Sequence, residues 1–239
     1  MNTGNPTMNN AIRLGCLLGI LLACQRTSAV QTENHGIHAV PAPGVVSIDG
    51  NLDDWDLSGQ VLMCYDVSSL KDIYSGRVAM MHDADYLYIS FHWKDPIPLG
   101  NSHDPRFQID KGWAGDSVQL RIKTDRICHV TAWCFAGKLE PFINIEYGKS
   151  LTEPFGGGSA NLYRRDGWFL DQGAEMAFRK DDDGKGYVQE MKLPWSLITL
   201  GGRAALGQRF ACGVELLWGE ADWPVHRYAD NLQEGQTSR

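Results

Sequence analysis

From Val45 onward the chain alternates apolar and polar residues at every second position, and almost nothing repeats at the 3.6-residue period of a helix. Such a chain is expected to form strands, whose successive side chains point to opposite faces of a sheet. In Tyr86-Leu87-Tyr88-Ile89-Ser90-Phe91-His92-Trp93 the odd positions are uniformly apolar. Ser117 to Lys123 repeats the pattern, with Val118, Leu120 and Ile122 on one face and Gln119 and Arg121 on the other. Further strands are expected at 76–82, 127–135, 142–147, 174–180, 186–193 and 209–218, with turns at His82-Asp83-Ala84-Asp85, Asp181-Asp182-Asp183-Gly184 and Gly201-Gly202. Many short strands without helical crossovers specify an all-β fold, an antiparallel two-sheet β-sandwich of jelly-roll or immunoglobulin-like kind. Pro194-Trp195-Ser196-Leu197-Ile198 is the one helical turn expected.

The same alternation sorts the polar side chains. With Val118, Leu120 and Ile122 pointing inward, Gln119 and Arg121 share an outer face with His129, Thr131 and Trp133 on the next strand and Phe142, Asn144 and Glu146 on the one after. A surface of rings, amides, a guanidinium, an imidazole and a carboxylate suits a polyhydroxylated ligand, because hydroxyls both donate and accept while rings supply stacking area. The alternative is that a loop covers this face and its residues satisfy one another. Trp55, Trp93, Trp195 and Trp218 are expected in the core, where most tryptophans of a sandwich belong. Trp113 and Trp223 lie in Gly- or Pro-containing loops and are the candidate ligand platforms, and Trp133 is left open between the two roles.

The first 29 residues read as an export leader. Arg13 precedes the apolar run Leu14 to Ala23, which is shorter than the roughly 20 residues of a spanning helix. Two processing routes are open: cleavage after Thr27-Ser28-Ala29, a small-x-small site, or lipid attachment at Cys24 in Leu21-Leu22-Ala23-Cys24, which resembles a lipobox. The chain is therefore expected to be exported, as a secreted, periplasmic or outer-membrane-anchored protein. Loss of Arg13 and Arg26 with the leader takes the formal charge from −7 to −9, against the basic face that nucleic acid requires. Residues 30–43 read as a polar linker, 44–232 as one domain and 233–239 as a polar tail. Of the four later cysteines, Cys128 and Cys134 sit on one strand about 20 Å apart and cannot pair. Pairing of Cys64 with Cys212 stays open, as do free thiols.

No catalytic constellation stands out. Gly115-Asp116-Ser117 lacks the Gly-x-Ser-x-Gly turn of a nucleophile elbow, and Gly156-Gly157-Gly158 precedes no helix that could hold a phosphate. Acidic pairs such as Glu140 and Glu146 are present, but sequence does not set a carboxylate separation.

The order Ile48-Asp49-Gly50 with Leu52-Asp53 and Trp55, then Asp85 to Ile89, Lys94-Asp95-Pro96, Trp113 with Asp116-Ser117-Val118, and Tyr187 to Trp195 resembles the family 9 carbohydrate-binding modules and their DOMON-type relatives. The resemblance implies a non-catalytic β-sandwich, an accessory to glycoside hydrolases, in which two Trp rings clamp the end of a polysaccharide. The clamp rings fall on Trp113 and Trp223, while the family's Glu after Asp-Ser-Val is Gln119 here and its next-strand Arg is His129. Arg121, Trp133, Asn144 and Glu146 complete the expected sugar-binding set. The resemblance also implies structural calcium, with Asp49, Asp53 and Asp95 at the matching turns. Two competing readings remain. One is a b-type haem electron-transfer domain of the same superfamily, with Met80, Met81, His82, His92 and His129 as candidate ligands and no Cys-x-x-Cys-His for covalent attachment. The other is an exported protein-interaction module anchored by Trp113 and Trp223.

Overall fold

The computed structural model describes residues 1, 29–33, 36–151, 153, 155–220 and 223–230, the last stretch as backbone with the Tyr228 side chain. Residues 2–28 of the expected leader, Cys24 among them, and the expected tail 233–239 lie outside the described residues. The strands are β1 (Ala39–Pro41), β2 (Val61–Met63), β3 (Ser75–His82), β4 (Tyr86–Lys94), β5 (Ser117–Lys123), β6 (Ile127–Phe135), β7 (Glu140–Tyr147), β8 (Ser159–Asp166), β9 (Phe169–Leu170), β10 (Glu175–Lys180), β11 (Gly186–Pro194), β12 (Ala211–Glu220) and β13 (Trp223–Asp230). The one α-helical turn, α1, is Trp195–Ile198, and among the described residues no helix is long and apolar enough to cross a membrane. Every strand expected from alternation forms, with its ends within two residues of the expected limits.

The strands join in one path, β1-β3-β4-β11-β10-β9-β8-β7-β6-β5-β12-β13, with β2 paired to β3. All pairings are antiparallel except β1 with β3, which run parallel, Ala39 opposite Met80. The sheet is curled, because one core cluster takes Leu87, Ile89, Phe91 and Trp93 from β4 together with Val118, Leu120 and Ile122 from β5. The two ends of the path thus form limbs that face each other. Trp93 of the first limb meets Trp218 of the second edge-on at 5.2 Å and stacks on Tyr187 at 5.3 Å, a geometry that adds to the burial of these large rings. Trp55, Trp93, Trp195 and Trp218 are all buried, as expected of most tryptophans in such a fold.

The first limb is covered on its outer face as well. Val46, Ile48 and Trp55 pack on Ala79, Met81, Tyr88 and Ala177, so the segment leading out of β1 forms a second, smaller core. This corrects part of the linker reading of 30–43: Ala39–Pro41 is a strand of the sheet, and the Thr32 amide donates to the Cys64 carbonyl at 2.9 Å. Cys64, Cys128, Cys134 and Cys212 are all free thiols. Burial pushes Cys128 up to about 11 and Cys134 up to about 12, so both behave as inert apolar groups.

Candidate functional site

The second limb keeps an outer face that only loops approach, and one rim of it gathers the most irregular backbone. The segment 95–116 leaves β4, makes a short turn at Gly112–Ala114 and enters β5. Asp116, at the mouth of β5 and 3 % exposed, fixes this segment from beneath. Its Oδ2 accepts from the Gly100 amide and its Oδ1 from the Gly219 amide, both at 2.7 Å. Asn101 adds two bonds from its Nδ2, to the Gly112 carbonyl at 2.8 Å and the Asp116 carbonyl at 3.2 Å. Asp95 lies beside Asp116, with its Oδ1 accepting from the Ile97 amide at 2.8 Å. Burial and the neighbouring Asp95 carboxyl push Asp116 well above the usual carboxylate range.

The backbone of β12 comes directly against this knot. A Cβ on Gly219 would fall 2.3 Å from the Gly115 Cα, so only glycine permits the approach. Gly219 pairs with Pro224, and Glu220 with Trp223, across the β12–β13 turn, after a register shift at Trp218. The turn that carries Trp113 and the strand start that carries Trp223 therefore share one rim. Trp113 is half-buried with the Lys111 ammonium 5.7 Å from its ring centroid, while the Trp223 side chain lies outside the described residues. Gly219→Ala is expected to lower the unfolding free energy by about 1–3 kcal/mol, because backbone rather than a flexible side chain must move. Thermal unfolding of the variant checks this, and an unchanged midpoint would show that the contact yields freely.

Away from the rim the expected polar face is present, and the ladders fix its rows. Gln119, Thr131, Asn144 and Asn161 are cross-strand neighbours in one row, and Arg121, His129, Glu146 and Ser159 in the next. Gln119, Arg121, Thr131, Glu146 and Asn161 are half-buried. Asn144 donates from Nδ2 to Asn161 Oδ1 at 2.7 Å and to Glu146 Oε1 at 3.3 Å, and Arg121 lies 3.5 Å from the buried Glu215 carboxylate. Two loops cover the rest. Trp133 is 1 % exposed, its Nε1 donates to the His103 carbonyl at 3.0 Å, and its ring lies beneath Gly112, so nothing can stack on it. His129 lies against Gly148 and Ser150, with Nε2 3.1 Å from the Ser150 carbonyl, and burial lowers its pKa, which favours the neutral ring. Alternation assigned both residues to the correct face; the covering loops are what it does not encode.

The three aspartates at the turns where the resemblance implies calcium lie in two separate places. Asp49 Oδ1 accepts from the Asn51 amide and Asp53 Oδ2 from the Asn51 Nδ2, each at 2.9 Å, and both line a shallow pocket with Ser47, Asn51 and Asp54. Asp95 is elsewhere: the Asp49 amide bonds Glu190, which faces Ser90, five residues along β4 from Asp95, on the order of 15 Å away. Among the described residues no three His, Cys, Asp or Glu side chains are grouped to hold a metal ion. The candidate haem ligands are scattered too. Met80 is in the core between the limbs, Met81 Sδ accepts from the Asp56 amide on the outside, His92 bonds Asp181, and His129 is on the other limb.

No family model and no curated protein matches the chain. Among solved structures, it is similar to a carbohydrate binding module family 9 from Caldicellulosiruptor kristjanssonii in complex with glucose, at 14 % identity and a TM-score of 0.48, over 80 % of this chain and 84 % of that one. A second structure of such a module from the same organism, in complex with cellotriose, is similar at 13 % identity and a TM-score of 0.47, over 80 % and 82 %.

Proposed function

We propose that this chain is an exported, non-catalytic carbohydrate-binding module of two-sheet sandwich build, in which Trp113 and Trp223 bracket a sugar ring at the rim of the second limb. The observation that carries this reading is the close approach of Gly219 to Gly115, which brings the two tryptophan-bearing turns to one edge. An indole on either side takes the apolar C–H faces of a pyranose, and the adjoining half-buried Gln119 and Arg121 offer an amide and a guanidinium to its hydroxyls. Thr131, Asn144 and Glu146 extend the polar surface along the same sheet face.

A hydrolytic role finds no support in the carboxylates. Glu140 and Glu146 sit on the one strand β7, six residues and about 20 Å apart, beyond the roughly 10 Å that glycosidase pairs span. Glu140 is moreover engaged by Arg106 at 3.6 Å.

Affinity electrophoresis of the mature chain through gels holding soluble polysaccharides tests the reading. A retarded native protein is expected, with Trp113→Ala and Trp223→Ala each weakening binding by about 1–3 kcal/mol, by analogy with base stacking on aromatic side chains. Retardation unchanged in both variants would refute the two-ring site.

A further inference from the structure

The segment just past the leader is fastened to the fold in a way that a polar linker does not require. The Val30 amide nitrogen lies 3.3 Å from Asp66 Oδ1, and the Val67 amide donates back to the Val30 carbonyl at 2.9 Å. Two residues on, Thr32 bridges both limbs. Its amide donates to the Cys64 carbonyl at 2.9 Å, its Oγ1 accepts from the Cys64 amide at 3.0 Å, and its Oγ1 and carbonyl meet the Tyr228 hydroxyl of β13 at 3.2 and 3.3 Å. Asp66 is set in place beforehand: its Oδ1 accepts from the Ser68 amide at 3.1 Å and the Ser68 hydroxyl at 2.6 Å, and its Oδ2 from the Ser69 hydroxyl at 2.7 Å. Those bonds, led by the one from the Ser68 hydroxyl, hold its carboxyl down to about 2, so it is ionised.

We infer that Asp66 is the receptor for the mature N-terminus, an α-ammonium created at Val30 when the export peptidase cleaves after Ala29. In that step water adds across the Ala29–Val30 peptide bond. The acyl carbon leaves as the carboxylate of Ala29, and the nitrogen takes up protons to become the ammonium of Val30. The atom that gains the charge is the one already facing Asp66 Oδ1, so cleavage turns a neutral contact into a charge-assisted one without moving the strap. The other charges at this corner, Lys71 and Asp72, bear on the Cys64 thiol. By way of Thr32 and Tyr228, the processed end also tethers the edge strand β13 to the first limb. Lipid attachment at Cys24 would instead leave Val30 as an internal amide.

The full chain, expressed with its leader and exported, is expected to carry Val30 as its first residue by intact mass and terminal sequencing. Mature protein starting at Val30 is then compared with the same protein acetylated at Val30, each with and without Asp66→Asn. The free-amine form is expected to have an unfolding constant about threefold smaller at pH 7, an advantage that vanishes in Asp66→Asn. An ammonium gaining a carboxylate partner has a raised folded pKa, so the advantage is complete below its free value of about 8 and is lost as pH rises through the raised one. A mature terminus other than Val30, or equal stability of the free and acetylated forms, would overturn the assignment. Both readouts are independent of sugar binding.

Discussion

Glu190→Ala is expected to lower the unfolding free energy by about 4 kcal/mol at neutral pH, because a single buried carboxylate receives three hydrogen bonds from one loop. Its Oε2 accepts from the Asp49 amide at 2.9 Å and from the Gly50 amide, and its Oε1 from the Trp55 indole at 2.6 Å. Gly50 makes the seat feasible: at φ +86, with the Arg179 Cβ 2.5 Å from where its own Cβ would be, it is closed to other residues. Truncation strands all three donors beneath the segment that covers the first limb. Burial outweighs those bonds and raises Glu190 to about 7 from its usual 4.5. A carboxyl raised in the folded state stabilises most below its unfolded value, and that contribution is lost as pH rises through about 7. Urea unfolding between pH 4 and 8 should show this slope in the native chain and its absence in Glu190→Gln. A Glu190→Ala variant within about 1 kcal/mol of native would show that the loop is held by its apolar contacts alone.

Asp116→Ala is the second large effect, expected to cost about 2–5 kcal/mol by leaving the half-buried Gly100 amide and the buried Gly219 amide without an acceptor. Unlike the loss of Glu190, it acts on the rim. Freed from Gly219 and Gly100, the turn bearing Trp113 no longer has a fixed position against β12, so the near-ultraviolet circular dichroism of the indoles should weaken along with stability. Asp116→Asn keeps one carbonyl acceptor and should recover part of both. Full loss of stability with an unaltered indole spectrum would show that Asp116 supports the core and not the rim.

The strands of this fold were legible because alternation is a local property. β4, β5 and β6 each bury every second residue in the common core, as their sequences state directly. β8 escaped because Arg164-Arg165-Asp166 ends it in charges, β13 because Trp223-Pro224 reads as a loop, and β1 because three residues carry no period. The order of strands was not legible at all. Alternation tells which face a side chain takes but not which strand lies alongside, so the placing of β11 between β4 and β10 depends on contacts distant in sequence. The same limit governs the site. Gln119, Arg121, Asn144 and Glu146 fall on one face as their parity requires, whereas the cover over Trp133 and His129 comes from loops that parity does not describe. Asp95 stands at a turn known only through the resemblance, and its place beside Asp116 depends on contacts that spacing does not describe. Glu190 gave no signal, since an acidic residue on the polar side of a strand is ordinarily solvated.

Two indoles, one from the turn before β5 and one from the start of β13, are proposed to close on a sugar. Oxidative footprinting of the mature chain, with each tryptophan read by mass spectrometry in the absence and presence of a saturating polysaccharide, tests this most directly. Trp113 and Trp223 are expected to be oxidised in the free protein and shielded together in the bound one, while Trp93, Trp133 and Trp218 stay unreactive in both because they are buried. Shielding of one ring without the other, or of neither while the polysaccharide is bound, would contradict the account.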